Sequence, residues 1–331
     1  MGEPAVINLS LGTYFGSHDG KDIQAQAIDN LITSSTGHVV VCAAGNAGAA
    51  PIHLGYNLNQ DTNFTWMQLN STEIYLQAWC DSADFANVHL GIGVDRVNHT
   101  YTPITSLPFS TISTMQDTII YDTIYSGGSR LAVVLSLIQN WGDRYSFEYA
   151  IYPDSVTNIN GADTSRYFWK LNTTGAGRID AWSFDMVFDN LPDTNNHSSI
   201  AYYKKPDTEQ TIVSSFTCSD KVITVGSYTN RNSYTNANYT TTMDTTLIPG
   251  NLSIFSSHGP TRDGRIKPDI MATGEWVLSC GTQSELNILA SVEPAKVAAG
   301  KKHKRSSGTS MASPVVAGIA ALYLQKNPVQ Q

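Results

Sequence analysis

Ser307-Gly308-Thr309-Ser310-Met311-Ala312-Ser313-Pro314-Val315-Val316-Ala317-Gly318 stands close to the C-terminal end of the chain. Small and hydroxylated residues give way there to an apolar run, and the pattern predicts a helix over residues 310–325. Pro314 falls in its first turn, where a missing N–H does no harm, and the helix stops before Pro328. Ser310 would lie at the helix start, where the macrodipole and unpaired backbone N–H groups favour developing negative charge. Ala312, Ala317, Gly318 and Ala320 allow neighbouring elements to approach closely. The plainer alternative for Ser310 is an N-cap ahead of a buried helix.

Outward from this run, residues 222–227 read as a buried strand. Residues 1–55 have the same texture: an apolar strand at 6–11, an amphipathic helix over 23–33, and a second strand at 38–44. Two almost wholly apolar strands around a helix indicate a parallel sheet covered on both faces. Between about 56 and 210 the period changes to two. Tyr145, Phe147, Tyr149 and Ile151 alternate with Ser146, Glu148 and Ala150, and similar short runs recur at 64–69, 74–79, 88–94, 118–125, 131–138, 167–171 and 178–187. Turns such as Ser126-Gly127-Gly128-Ser129 and the one at 160–163 separate them. The expected fold class is therefore α/β. A mostly parallel sheet flanked by helices (1–55 and 211–331) is interrupted by an inserted antiparallel, jelly-roll-like β-sandwich (56–210).

Across 331 residues, 41% are hydrophobic and 15% charged, which excludes a disordered chain and allows sizeable cores. A net charge of −8 argues against a nucleic-acid binder. No apolar run approaches the roughly 20 residues that span a bilayer. Met1-Gly2 leads almost directly into a strand, so the natural polypeptide is expected to extend upstream. Of the four cysteines, Cys42 reads as a core thiol, and the spacing of Cys80, Cys218 and Cys280 assigns neither a disulfide nor a zinc site.

The run around Ser310 resembles the serine-nucleophile motif of the subtilases. Val39-Val40-Val41-Cys42-Ala43-Ala44-Gly45-Asn46 resembles the family's strand that ends in the oxyanion-hole asparagine. Ser10-Leu11-Gly12 resembles its substrate-pairing segment. Phe255-Ser256-Ser257-His258-Gly259-Pro260, running on to Ala272-Thr273-Gly274, resembles the loop and strand ahead of the nucleophile, with Thr273 where the family usually has proline. The resemblance covers about half of the chain, in the family's order, and some bacterial subtilases carry an insertion like the sandwich.

It implies a polypeptide substrate lying against Ser10, Leu11 and Gly12 and against Ala43, Ala44 and Gly45. Ser310 is then the nucleophile, with Thr309 beside it, and Asn46 donates to the oxyanion. The family's Asp-Thr/Ser-Gly and His-Gly-Thr-His motifs occur nowhere here, so the chain is expected to be an inactive fragment of a peptidase. His18-Asp19-Gly20 and His258 read as loop features rather than replacements. A pseudoprotease is one alternative. Another is a glycan- or protein-binding sandwich using Trp66, Trp79, Trp141, Trp169 and Trp182, although aromatics at strand spacing usually form core. The run Lys301-Lys302-His303-Lys304-Arg305 reads as a solvated loop. No cofactor is expected; calcium, common in the family, has no acidic cluster to hold it. A secreted or cell-surface setting fits the acidic, Asn/Thr-rich composition.

Overall fold

The computed structural model describes residues 4–69, 72–97, 101–106, 117–154, 166–187, 195 and 198–327. Met1-Gly2, His99, His197, the turn at 160–163 and Pro328 lie outside the described residues. In chain order the elements are β1 (Ala5–Leu9), α1 (Ile23–Thr33), β2 (His38–Ala43), β3 (His53–Asn59), β4 (Asn63–Met67), β5 (Ile74–Asp81), β6 (Val88–Val97) and β7 (Tyr101–Ser106). Then follow β8 (Ile120–Ser126), β9 (Ser129–Asn140), β10 (Arg144–Pro153), β11 (Arg166–Trp182), β12 (Ile223–Thr229), β13 (Ser233–Thr235) and β14 (Thr241–Met243). The chain closes with β15 (Ile270–Glu275), β16 (Val277–Cys280), α2 (Gln283–Val292), β17 (His303–Ser306) and α3 (Thr309–Lys326). Two compact units emerge, residues 1–49 with 209–331 and residues 50–208.

In the first unit, β1-β2-β12-β15 form a parallel sheet. The apolar strands of the sequence have a use on each face. Val41, Val225 and Ala272 pack with Ala312, Val316 and Ala317 of α3 on one side, and Val40, Cys42 and Val222 pack with Ala25 and Phe216 on the other. Each fully buried aliphatic side chain contributes about 1.5–3 kcal/mol. The Asp22 carboxylate caps α1 by accepting from the Ala25 N–H at 2.9 Å. The strand β1, expected to be buried, is instead the sheet edge; Ile7 is 36% exposed, because among the described residues only β2 pairs with it. The basic run is not wholly a loop either. His303, Lys304 and Arg305 lie in β17, paired with β16, with Lys304 on Glu285 and the Arg305 guanidinium 4.4 Å from the Trp276 ring centre.

The second unit is an antiparallel sandwich organised by β11. The two short strands expected at 167–171 and 178–187 are one long strand. Its first half pairs with β4 and β6, and its second half pairs with β3 and β5. One layer is thus β4-β11-β6-β7 and the other β3-β11-β5-β10-β9-β8. A single core lies between them, with Ile92, Val94 and Trp169 from one layer meeting Leu76, Phe147 and Ile179 from the other. The strand changes layer at Gly175 and Gly177, with φ of +110° and +113°. A Cβ at Gly175 would lie 1.8 Å from the Asn87 carbonyl oxygen. Gly175→Ala is therefore expected to destabilise the sandwich by about 1–3 kcal/mol, read as a lower urea midpoint; an unchanged midpoint would contradict this account of the bend.

A charged cluster sits on β3 and β11 of this unit. The buried His53 ring places Nε2 3.1 Å from Asp180 Oδ1 and Nδ1 3.2 Å from Asp207 Oδ2. Asp180, fully buried, also accepts from Arg178 Nη2 at 2.8 Å and Nε at 3.0 Å. Trp66, Trp79, Trp169 and Trp182 are buried, which removes them as ligand platforms; Trp141 is half-buried.

Candidate active site

Every candidate site residue falls in the first unit. Ser10, Leu11 and Gly12 follow β1, Ala43 ends β2, and Ala44, Gly45 and Asn46 form the turn after it. Thr309 and Ser310 open α3. Gly308 precedes the helix with φ +142°, a conformation suited to glycine, and lets the chain turn sharply into it.

Asn46 is gripped at one end only. Its Oδ1 accepts from the Thr309 N–H at 2.9 Å and from the Thr309 hydroxyl at 3.0 Å, and that hydroxyl in turn accepts from the Gly45 N–H at 3.1 Å. The side-chain Nδ2 has no partner among the described residues, and Asn46 is exposed. Thr309 thus fixes which end of the amide faces outward, beside Ser310. An outward amide N–H next to a helix N-terminus can bind a developing oxyanion.

Ser10 and Ser310 bond reciprocally. The Ser310 hydroxyl donates to the Ser10 carbonyl at 3.1 Å, and the Ser10 hydroxyl donates to the Ser310 carbonyl at 2.8 Å. The second bond has a cause in the sequence. The helix begins at Thr309, so Pro314 lies beyond the first turn, where it was expected, and cannot donate to the carbonyl four residues back. That carbonyl belongs to Ser310, and the Ser10 hydroxyl satisfies it. Among the described residues no histidine or carboxylate hydrogen-bonds to the Ser310 hydroxyl, so nothing present makes it a strong nucleophile.

His18 and His258 are loop residues. His18 is buried with Nε2 3.0 Å from the Tyr14 carbonyl, and His258 Nδ1 is 3.2 Å from the Ser256 carbonyl. The described residues contain no group of three or more His, Cys, Asp or Glu side chains able to hold a metal. No described helix is long and apolar enough to cross a membrane. Cys42, Cys218 and Cys280 are free thiols, and burial pushes the Cys42 thiol up to about 12, despite the opposing Lys267 charge.

Three further residues lie near the site. Ser214 donates its N–H to the Ala44 carbonyl at 2.8 Å and accepts from the Thr13 N–H at 2.9 Å. It lies so close to Gly12 that a Cβ there would come within 2.5 Å of its hydroxyl. Tyr14 and Ser257 share a 2.9 Å hydrogen bond beside Gly45. Tyr14 and Ser257 could have been suspected only from their positions inside or just after recognisable motifs; Ser214 opens residues 214–217, the stretch that the resemblance offers as the second wall of the specificity pocket.

Residues 190–330 match the model of the subtilase family, Peptidase_S8. Serine protease AprX of Bacillus subtilis (strain 168) is 39% identical over 204 residues, spanning 61% of this chain and 40% of AprX. An uncharacterized protein of Aquifex aeolicus (strain VF5) is 42% identical over 107 residues, 32% of this chain and 43% of that protein. C5a peptidase of Streptococcus pyogenes is 48% identical over 75 residues, 23% of this chain and 5% of that enzyme. The chain thus spans less than half the length of these curated relatives. The CspB protease of Clostridium perfringens has the same fold, with a TM-score of 0.61 at 21% identity over 98% of this chain and 56% of CspB. The chain is therefore homologous to subtilase serine peptidases, with a subtilase-like fold that carries an antiparallel β-sheet insertion.

Proposed function

We propose that this chain carries the nucleophile and oxyanion half of a subtilisin-like serine endopeptidase of a secreted or cell-surface protein. The observation that supports it most is the Asn46–Thr309–Ser310 arrangement, in which an amide N–H is held outward beside a serine at a helix start. A polypeptide would pair with Ser10, Leu11 and Gly12 on one side and with Ala43, Ala44 and Gly45 on the other. Ser310 Oγ would attack the scissile carbonyl carbon, its proton passing to a histidine base from outside the described residues. Asn46 Nδ2 and the Ser310 N–H would hold the oxyanion. Collapse would break the C–N bond, the leaving amine taking the proton back from the base. Water would then hydrolyse the Ser310 ester by the same route.

The exposed apolar surface of the first unit supports a base arriving on a further segment. The edge strand β1 leaves Ile7 at the surface, and α3 exposes Ile319 at 60% with Leu322 at 66% and Tyr323 at 65%, three and four residues further on and so on one helix face. An apolar row of this kind is ordinarily covered by a neighbour. Fluorophosphonate labelling tests the proposal. The full-length protein is expected to take one label, at Ser310, and Ser310→Ala is expected to take none. Failure of full-length protein to label would leave the binding-only reading, which the absence of a base beside Ser310 among the described residues favours.

A further inference from the structure

We propose that Tyr14 is a positioning residue for the oxyanion turn Gly45-Asn46-Ala47, an inference that rests on Asn46 being the oxyanion donor. The turn is tied on one side by Thr309, through the Gly45 N–H and the Asn46 carbonyl oxygen of the side chain. A second tie holds it from elsewhere. The Tyr14 hydroxyl lies 2.9 Å from Ser257 Oγ, and Ser257 Oγ accepts from the Ala47 N–H at 2.9 Å. The Ser257 N–H also donates to the Gly45 carbonyl at 3.0 Å.

Gly45 shows how closely these groups fit. It has φ +108°, and a Cβ there would fall 2.3 Å from the Tyr14 oxygen and 3.0 Å from Ser257 Oγ. Glycine at this position is thus required twice, by the backbone conformation and by the space the tyrosine hydroxyl occupies. Burial raises the Tyr14 hydroxyl above its ordinary value, opposed by hydrogen bonds from Ser257 and from the backbone of Asn46 and Ala47. The phenol therefore stays protonated and neutral at physiological pH.

Tyr14 follows Gly12 by two residues, so it links the segment expected to pair with substrate to the turn expected to stabilise the oxyanion. A displacement of that turn by a fraction of an ångström moves Asn46 Nδ2 off the position of the developing charge. Substrate affinity does not depend on that position, because the donor acts on the transition state. Loss of the Tyr14 tie should therefore appear in kcat and not in KM.

The test uses Tyr14→Phe, Ser257→Ala and the double variant in the full-length peptidase, with Asn46→Ala as reference. Each single variant is expected to lower kcat about tenfold with KM within about twofold, and the double variant to fall no further than either single one. An unchanged kcat, a loss confined to KM, or multiplying effects would overturn the proposal while Asn46→Ala still lowers kcat. If Asn46→Ala leaves kcat intact, the oxyanion reading fails instead. An independent readout needs no activity: in this chain, the Asn46 side-chain amide resonances should shift in Tyr14→Phe, and unmoved resonances would also sink the positioning role.

Discussion

Peptidase turnover is expected to fall to background in Ser310→Ala and by about 10²–10³-fold in Asn46→Ala, the magnitude subtilisin itself shows for loss of such a donor. The two losses differ in kind. In the proposed mechanism Ser310 would supply the atom that becomes the ester oxygen, so no other group could substitute for it. Asn46 would supply only a hydrogen bond, made by an amide whose outward end is fixed by two bonds from Thr309. KM should therefore hold nearly constant in Asn46→Ala while kcat falls. Initial rates on a peptide library with the full-length protein would show both; a drop confined to KM would remove Asn46 from the oxyanion site.

Asp180→Ala is expected to destabilise the sandwich by about 3–5 kcal/mol, because it strips a buried partner from His53. Five of the six tryptophans lie in residues 50–208, so their fluorescence reports this unit during urea unfolding. The same cluster predicts a pH dependence. Burial alone would lower the His53 pKa, but hydrogen bonds to Asp180 and Asp207, with their negative charge, raise it above its ordinary value. Burial would raise the Asp180 carboxyl, yet the His53 and Arg178 bonds hold it well below the usual carboxylate range.

A raised histidine contributes stability in full below its unfolded value, about 6.5, and loses it as pH rises through the folded value. Asp180 works in the opposite direction and matters only in strong acid: its contribution is present above the ordinary carboxylate value and is lost as pH falls through the depressed one. The urea midpoint of the sandwich should therefore decline from pH 6 towards pH 9. His53→Ala should flatten that decline. An equal slope in the variant would show that another group is responsible.

The parallel sheet and α3 were legible because apolar runs such as residues 39–43 and the small residues of α3 leave few alternatives. The nucleophile and oxyanion candidates were legible for a different reason: their motifs are short, local and rich in glycine. The true length of β11 was not legible. Its pattern reads as two short runs, 167–171 and 178–187, whereas the structure uses the glycines between them to bend one strand across two layers. Edge exposure of β1 was equally hidden, since an apolar strand looks the same in sequence whether or not a neighbour covers it. Tyr14 and Ser257 were missed because their roles depend on a partner 243 residues away in the chain.

The pair of bonds between Ser10 and Ser310 bears on timing. The Ser310 hydroxyl points its proton at the Ser10 main-chain oxygen, the same acceptor that an incoming peptide would use if it added as a strand there. Arrival of a peptide N–H would therefore compete with the serine for that oxygen. Under the proposed function the serine would be quiet until a peptide paired with Ser10, so ligand occupancy and nucleophile release would become a single event.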